Sequence, residues 1–122
     1  MPRLALALAA TAVLVGCRTM SQSQIDATDA GPAPALAEFQ PQIEAMVRPQ
    51  MKDPESARFR WPDPYVPRKV EYPIGGFKSS VGWLIPFDLN GKNSFGGYVG
   101  FESWDAIVRF GQIVAVGRSI WR

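Results

Sequence analysis

Hydrophobic periodicity changes once along this chain, and that change constrains the fold more than any other feature. In "ALAEFQPQIEAMVRPQM" the apolar residues Leu36, Phe39, Ile43, Met46, Val47 and Met51 recur at helical spacing. The spacing predicts one amphipathic helix over about 36–51. Pro41 reads as the first residue of a tighter helix, with Phe39 just outside it. Pro49 removes a backbone donor and bends or ends the helix. Asp53 before Pro54 reads as an N-cap opening a single helical turn at 54–57. Beyond that point the period becomes two. In "RFRW" Phe59 and Trp61 fall on one face, and Arg58 and Arg60 on the other. "PDPYVPRKVEYP" is a proline-rich loop, an edge strand or both. Further strands are expected at Val66–Tyr72, Lys78–Leu89, Gly97–Trp104, Ala106–Phe110 and Gln112–Val116. "NGKNSFGG", residues 90–97, supplies turn chemistry between two of them, and "VRFGQIV" is a hairpin centred on Gly111. A helix followed by strands argues an α+β fold: one N-terminal amphipathic helix packed on a small antiparallel sheet of about four or five strands. The single domain is expected over 36–122.

What precedes the domain is of another kind. "MPRLALALAATAVLVGC" has Arg3 near its start and an apolar run from Leu4 to Val15. A helix needs about 20 residues to span a bilayer, so this run is short for a permanent span and suits the core of a secretory signal. Cys17 closes the run and is the only cysteine in the chain. An unpaired thiol in an exported protein calls for an explanation. The stretch Leu14, Val15, Gly16, Cys17 resembles the lipobox of bacterial lipoproteins. That resemblance implies cleavage before Cys17, with 1–16 removed as signal peptide. It also implies a diacylglycerol on the Cys17 thiol and further acylation, for example by palmitate. Two or three such chains anchor a protein essentially permanently, where one would hold only marginally. Position 18 is Arg rather than the Asp that tends to retain such proteins in the inner membrane. The resemblance thus favours the periplasmic face of the outer membrane, with the inner membrane as the alternative. Residues 18–35, "RTMSQSQIDATDAGPAPA", show no apolar period. Together with Cys17 they are expected to form a flexible tether, 17–35, reaching about 20–25 Å as a coil.

Composition removes several chemistries. The chain contains no histidine, so a structural zinc site of Cys and His ligands and the usual nucleophile–imidazole pairs are ruled out. No metal or cofactor is expected. A formal net charge of +2 is too mild to suggest a nucleic-acid partner.

Two further stretches, "MKDPESARF" and "NGKNSFGGYVGF", resemble a motif pair of small exported bacterial proteins and lipoproteins, roughly K-D-P-x-S-A-x-F followed by N-x-K-N-x-F-G-G-Y-x-G-F. Lys52 to Phe59 fits the first and Asn90 to Phe101 the second. Such proteins often carry a cysteine before the second motif, where this chain has "WLIPFDL". The resemblance implies a shared fold and no particular reaction.

Three clusters are candidates for function. Asn90, Lys92, Asn93, Ser94, Gly96 and Gly97 form a polar loop suited to a carboxylate, sugar or phosphate. They also have the composition of a turn in which Asn caps its own backbone. Arg58, Arg60, Trp61, Arg68 and Lys69, with Tyr65 nearby, interleave charge with aromatic rings. Such a face binds anionic partners, or merely protects a sheet edge. Asp88, Glu102 and Asp105 are the carboxylates that a glycosidase mechanism would need. The leading expectation is a non-enzymatic interaction module that contacts an envelope protein or the cell wall. The alternatives are a module for a small ligand or glycan beside the 90–97 loop, and a carboxylate-dependent cell-wall hydrolase. A deep pocket lined by Trp83, Trp104 and paired carboxylates favours the hydrolase. A shallow polar groove favours ligand binding, and an exposed apolar patch favours protein interaction.

Overall fold

The computed structural model of the chain describes residues 20–119. The fold is α+β. A short helix α1 (Gln22–Ala27) precedes helix α2 (Leu36–Val47), which tightens into a 3-10 turn at Arg48–Gln50. A second 3-10 turn, Pro54–Ser56, leads into five antiparallel strands: β1 (Arg58–Arg60), β2 (Arg68–Gly75), β3 (Lys78–Asn90), β4 (Glu102–Arg109) and β5 (Gln112–Arg118).

The sheet is organised around β3, whose 13 residues span about 40 Å. β4 lies along one edge of β3 and β5 lies beyond β4. The other edge is shared by β2, which pairs Arg68 with Leu84, and β1, which pairs Arg60 with Asp88. Between those pairs β3 has no strand partner on that side. Tyr65 fills part of the gap, its hydroxyl donating to the Leu84 carbonyl at 2.9 Å. N–H and C=O groups alternate in direction along a strand. Pro86, two residues after Leu84, therefore faces the same gap and lacks the N–H that would otherwise go unpaired there.

One face of the sheet carries Ile85, Phe87, Leu89, Trp104, Ala106 and Val108, and α2 packs Phe39, Ile43 and Val47 against it. Phe59 and Trp61 do share a face, stacked at 5.6 Å and 5°, and both contact Phe87. The opposite face buries Val70, Tyr72, Leu84 and Ile107.

Several expectations are corrected by packing. α2 continues through Pro41, and Phe39 lies inside it, buried. Pro41 and Ala37 are both exposed, so the carbonyl that Pro41 cannot bond faces water. Met46 belongs to the helical stripe but is 45% exposed. Asp53 opens the turn at 54–56 without a side-chain cap; its carbonyl takes the Ser56 N–H and hydroxyl instead. Gly97–Trp104 and Ala106–Phe110 are not two strands. A single strand runs from Glu102 to Arg109, and residues 97–101 contribute only an isolated bridge between Lys92 and Tyr98. Asp105 sits mid-strand, where carboxylates are disfavoured, fully buried and accepting from the Ser119 hydroxyl at 2.9 Å.

The largest correction concerns the segment expected to be a flexible tether. Its described part, from residue 20, is docked on the domain. Ser21 and Gln24 form a capping box at the start of α1. Ile25 and Ala30 are buried against Val81, flanked by Met20 and Trp83. The Lys69 ammonium donates to the carbonyls of Asp26 (2.7 Å) and Thr28 (2.8 Å), at the C-terminal end of α1. The Trp83 indole N–H donates to the Gly31 carbonyl, and the Phe110 N–H to the Ala30 carbonyl. Gly31 has φ +85°, and a Cβ there would lie 2.7 Å from the Phe110 backbone. Only glycine permits this approach.

Candidate functional site

The two motif stretches meet at Ser56 and at Arg58, which pairs with Asn90 at the start of the second. Ser56, from the first, is buried. Its hydroxyl donates to the Asp53 carbonyl and accepts from the Lys92 N–H at 3.0 Å, and its carbonyl accepts from the Tyr98 hydroxyl at 3.1 Å. Lys92 and Tyr98 are both in the second. The motif pair thus fastens the 90–101 loop to the turn before β1.

Within that loop the asparagines work on the backbone. Asn93 Oδ1 accepts from the N–H groups of Phe95 (2.9 Å) and Gly97 (3.1 Å), and Asn90 Oδ1 from that of Gly100 (3.0 Å). Gly96 holds φ +84°. Gly97 does not hold positive φ, and a Cβ there would meet nothing within 4 Å. Asn90, Asn93 and Gly96 therefore serve the turn. Ser94 and Gly97 are exposed, and Lys92 sits with its ammonium 5.6 Å from the Tyr98 ring.

What the loop displays is aromatic. Phe95 is 95% exposed and Val99 60%. Arg58 lies 4.5 Å over the Tyr98 ring and Arg60 4.0 Å over the Phe101 ring. Each such exposed contact contributes about 0.5–1 kcal/mol. The fold joins two of the three candidate clusters here: the polar loop and the β1 arginines form one continuous surface at the end of the sheet. Phe95, Tyr98 and Phe101 were missing from the candidate residues. Their signal was an aromatic at a turn tip with no periodic partner to bury it.

Arg68 and Lys69 are not part of this surface. They lie on β2, with Arg68 exposed and Lys69 holding the end of α1. Trp61 borders a shallow groove of about 360 Å³ in the gap between β1 and β2, lined by Arg60, Trp61, Pro62, Pro86, Phe87 and Asp88. Burial pushes the neighbouring Tyr65 phenol up to about 12, so it stays a hydrogen-bond donor.

The three carboxylates each have a different partner. Asp88 receives both Arg60 Nε (3.2 Å) and Arg60 Nη2 (3.1 Å), Glu102 pairs with Arg118 at 2.8 Å, and Asp105 is fully buried. Trp104 is buried in the core, and the Trp83 indole is committed to Gly31. Among the described residues no group of three His, Cys, Asp or Glu side chains is placed to hold a metal ion. No helix among them is long and apolar enough to cross a membrane. Leu14, Val15, Gly16 and Cys17 lie outside the described residues. The chain thus presents an α+β domain with an exposed basic-aromatic edge, and it matches no known family, curated protein or solved structure.

Proposed function

We propose that the protein is a lipid-anchored component of the bacterial envelope, acylated at Cys17. Its domain is a non-enzymatic interaction module that grips a partner through the surface of Arg58, Arg60, Tyr98 and Phe101. The location is the periplasmic face of the outer membrane, on the strength of Arg18. The observation that carries the reading is the pairing of exposed guanidinium groups with exposed rings. Arg60 is held 4.0 Å over Phe101, itself 41% exposed. Arginine and aromatic side chains are the residues that anchor protein interfaces. Arg58, Arg60 and Lys92 all border these rings, and Asp88 pairs with Arg60, so the surface suits an acidic partner.

A photocrosslinker at Val99 in the acylated protein, used in intact cells, tests this. A discrete crosslinked species is expected. Arg58→Glu combined with Arg60→Glu should reduce its yield at least tenfold. An undiminished yield in that variant would defeat the assignment of the surface.

The groove beside Trp61 favours one second reading. A ring wall next to an Arg–Asp pair is a shape that binds sugars, and cosedimentation with purified peptidoglycan, lost on Trp61→Ala, would select a glycan ligand over a protein partner.

A further inference from the structure

The docked N-terminal segment determines which end of the sheet faces the membrane. From Gly31 back to Met20 the chain climbs the sheet toward the β2–β3 turn. Gly31 is held by Trp83, and the α1 carbonyls by Lys69, which pairs with Trp83 across the strands. The Met20 N–H is held by Glu71 Oε1 at 3.2 Å, two pairs further along, where Glu71 opposes Val81. The Ser79 hydroxyl also donates to Glu71 and steadies this pin. Cys17 is three residues earlier. Covalent geometry limits its Cα to about 11 Å from that of Met20. Along β3 the 90–101 loop begins nine residues from Val81, about 30 Å away. The β2–β3 turn closes at Gly75 and Lys78, about 13 Å beyond the pin. Acyl chains on Cys17 therefore bring the turn end of the sheet to the bilayer and leave the loop end far from it.

That turn has the surface a bilayer would accept. Pro73, Ile74, Gly75, Gly76, Phe77 and Lys78 are six consecutive exposed residues with no acid among them. Phe77 is 103% exposed and Ile74 55%. Phe77 occupies the second position of a two-residue turn, a place that requires no aromatic. In water its ring gains nothing. Beside a lipid anchor, an aromatic ring and a lysine at the tip of a hairpin suit the headgroup boundary, where apolar and cationic side chains are both favoured.

We infer that the β2–β3 turn, with Phe77 at its tip, rests in the headgroup region of the same leaflet that the Cys17 acyl chains enter. This rests on the lipid-anchor reading. β3 then acts as a stiff spacer of about 40 Å, presenting the Arg58–Phe101 surface away from the membrane. A flexible tether would have allowed either orientation.

The test uses the acylated full-length mature protein in vesicles of phosphatidylethanolamine and phosphatidylglycerol carrying a headgroup nitroxide lipid. With the Cys17 thiol occupied, a fluorophore is attached at Lys78→Cys or, separately, at Ser94→Cys. Quenching at position 78 is expected to exceed that at position 94 several-fold. Phe77→Asp, at a site too exposed to affect folding, should reduce it. Intact mass gives the acylation state of the same samples. Acyl mass on Cys17 with equal quenching at both positions would overturn the inference and leave the lipid anchor standing. Absence of acyl mass would overturn both.

Discussion

Ile25 is the single apolar side chain through which α1 holds to the sheet, and shortening it should release the N-terminal segment in a graded way. It is 9% exposed and packs with Ala30 against Val81. Ile25→Ala removes three carbons, worth about 2.4 kcal/mol at ~0.8 kcal/mol per buried carbon. Ile25→Val removes one, worth about 0.8 kcal/mol by the same scale. No large cavity term is added, because a six-residue helix on the surface can settle or lift away. The reporter is the Phe110 amide, which donates to the Ala30 carbonyl at 2.8 Å and exchanges when the segment detaches. Native-state hydrogen exchange should show its protection falling about fourfold in Ile25→Val and about fiftyfold in Ile25→Ala, since 1.4 kcal/mol is a factor of ten. Equal protection in all three proteins would refute docking through Ile25 and restore a freely moving tether. The orientation inferred for the membrane-bound protein would fall with it.

The two adjacent loop glycines should behave differently. Gly96→Ala should cost roughly 1 kcal/mol in a denaturant melt because φ is +84°, while Gly97→Ala should change stability by less than about 0.5 kcal/mol. Ser56→Ala removes the hydroxyl that joins the Asp53 carbonyl to the Lys92 N–H. It should cost about 1–3 kcal/mol and raise the loop's exchange rates; a neutral effect would show that the two motifs fold independently. Tyr65 titrates in the alkaline range. Its folded value, about 12, lies above the ordinary phenol value of 10.0, so the stability it contributes is complete below pH 10 and is lost as pH rises through 12. Full conversion of that shift gives about 2.7 kcal/mol. Solvent screening at a half-buried phenol brings it to about 1 kcal/mol. Tyr65→Phe should be less stable at neutral pH through loss of the Leu84 bond, and should lose less than the wild type between pH 10 and 12.

Helix α2 and the hairpins were legible in the sequence because each announces itself locally. The 39, 43, 47 spacing buries one stripe whatever lies opposite, and Gly76-Phe77 and Phe110-Gly111 reverse the chain between alternating segments. The same local logic exposed the turn chemistry of Asn90, Asn93 and Gly96, each of which acts within a few residues of itself or across its own loop. Other features depended on partners distant in sequence. α1 has one buried apolar residue, so no period marks it; only the Ser21-x-x-Gln24 capping pattern was there to be read. Asp105, read as a candidate catalytic carboxylate, is instead buried in mid-strand and accepts from a hydroxyl fourteen residues away. Lys69, grouped with the basic face by its spacing, turned out to hold a helix end more than forty residues upstream. The functional surface divides in the same way. Its residue types stand in plain sight in "RFRW" and "NSFGGYVGF", but their union needed Ser56 to join two stretches over thirty residues apart. By itself the sequence determined helix α2, the hairpin at Gly111 and the candidate anchor at Cys17, since these follow from periodicity and local turn chemistry. Only the tertiary structure decided which charges stay exposed and which end of the sheet carries the N-terminal segment, because burial and long-range pairing exist only once the strands have met.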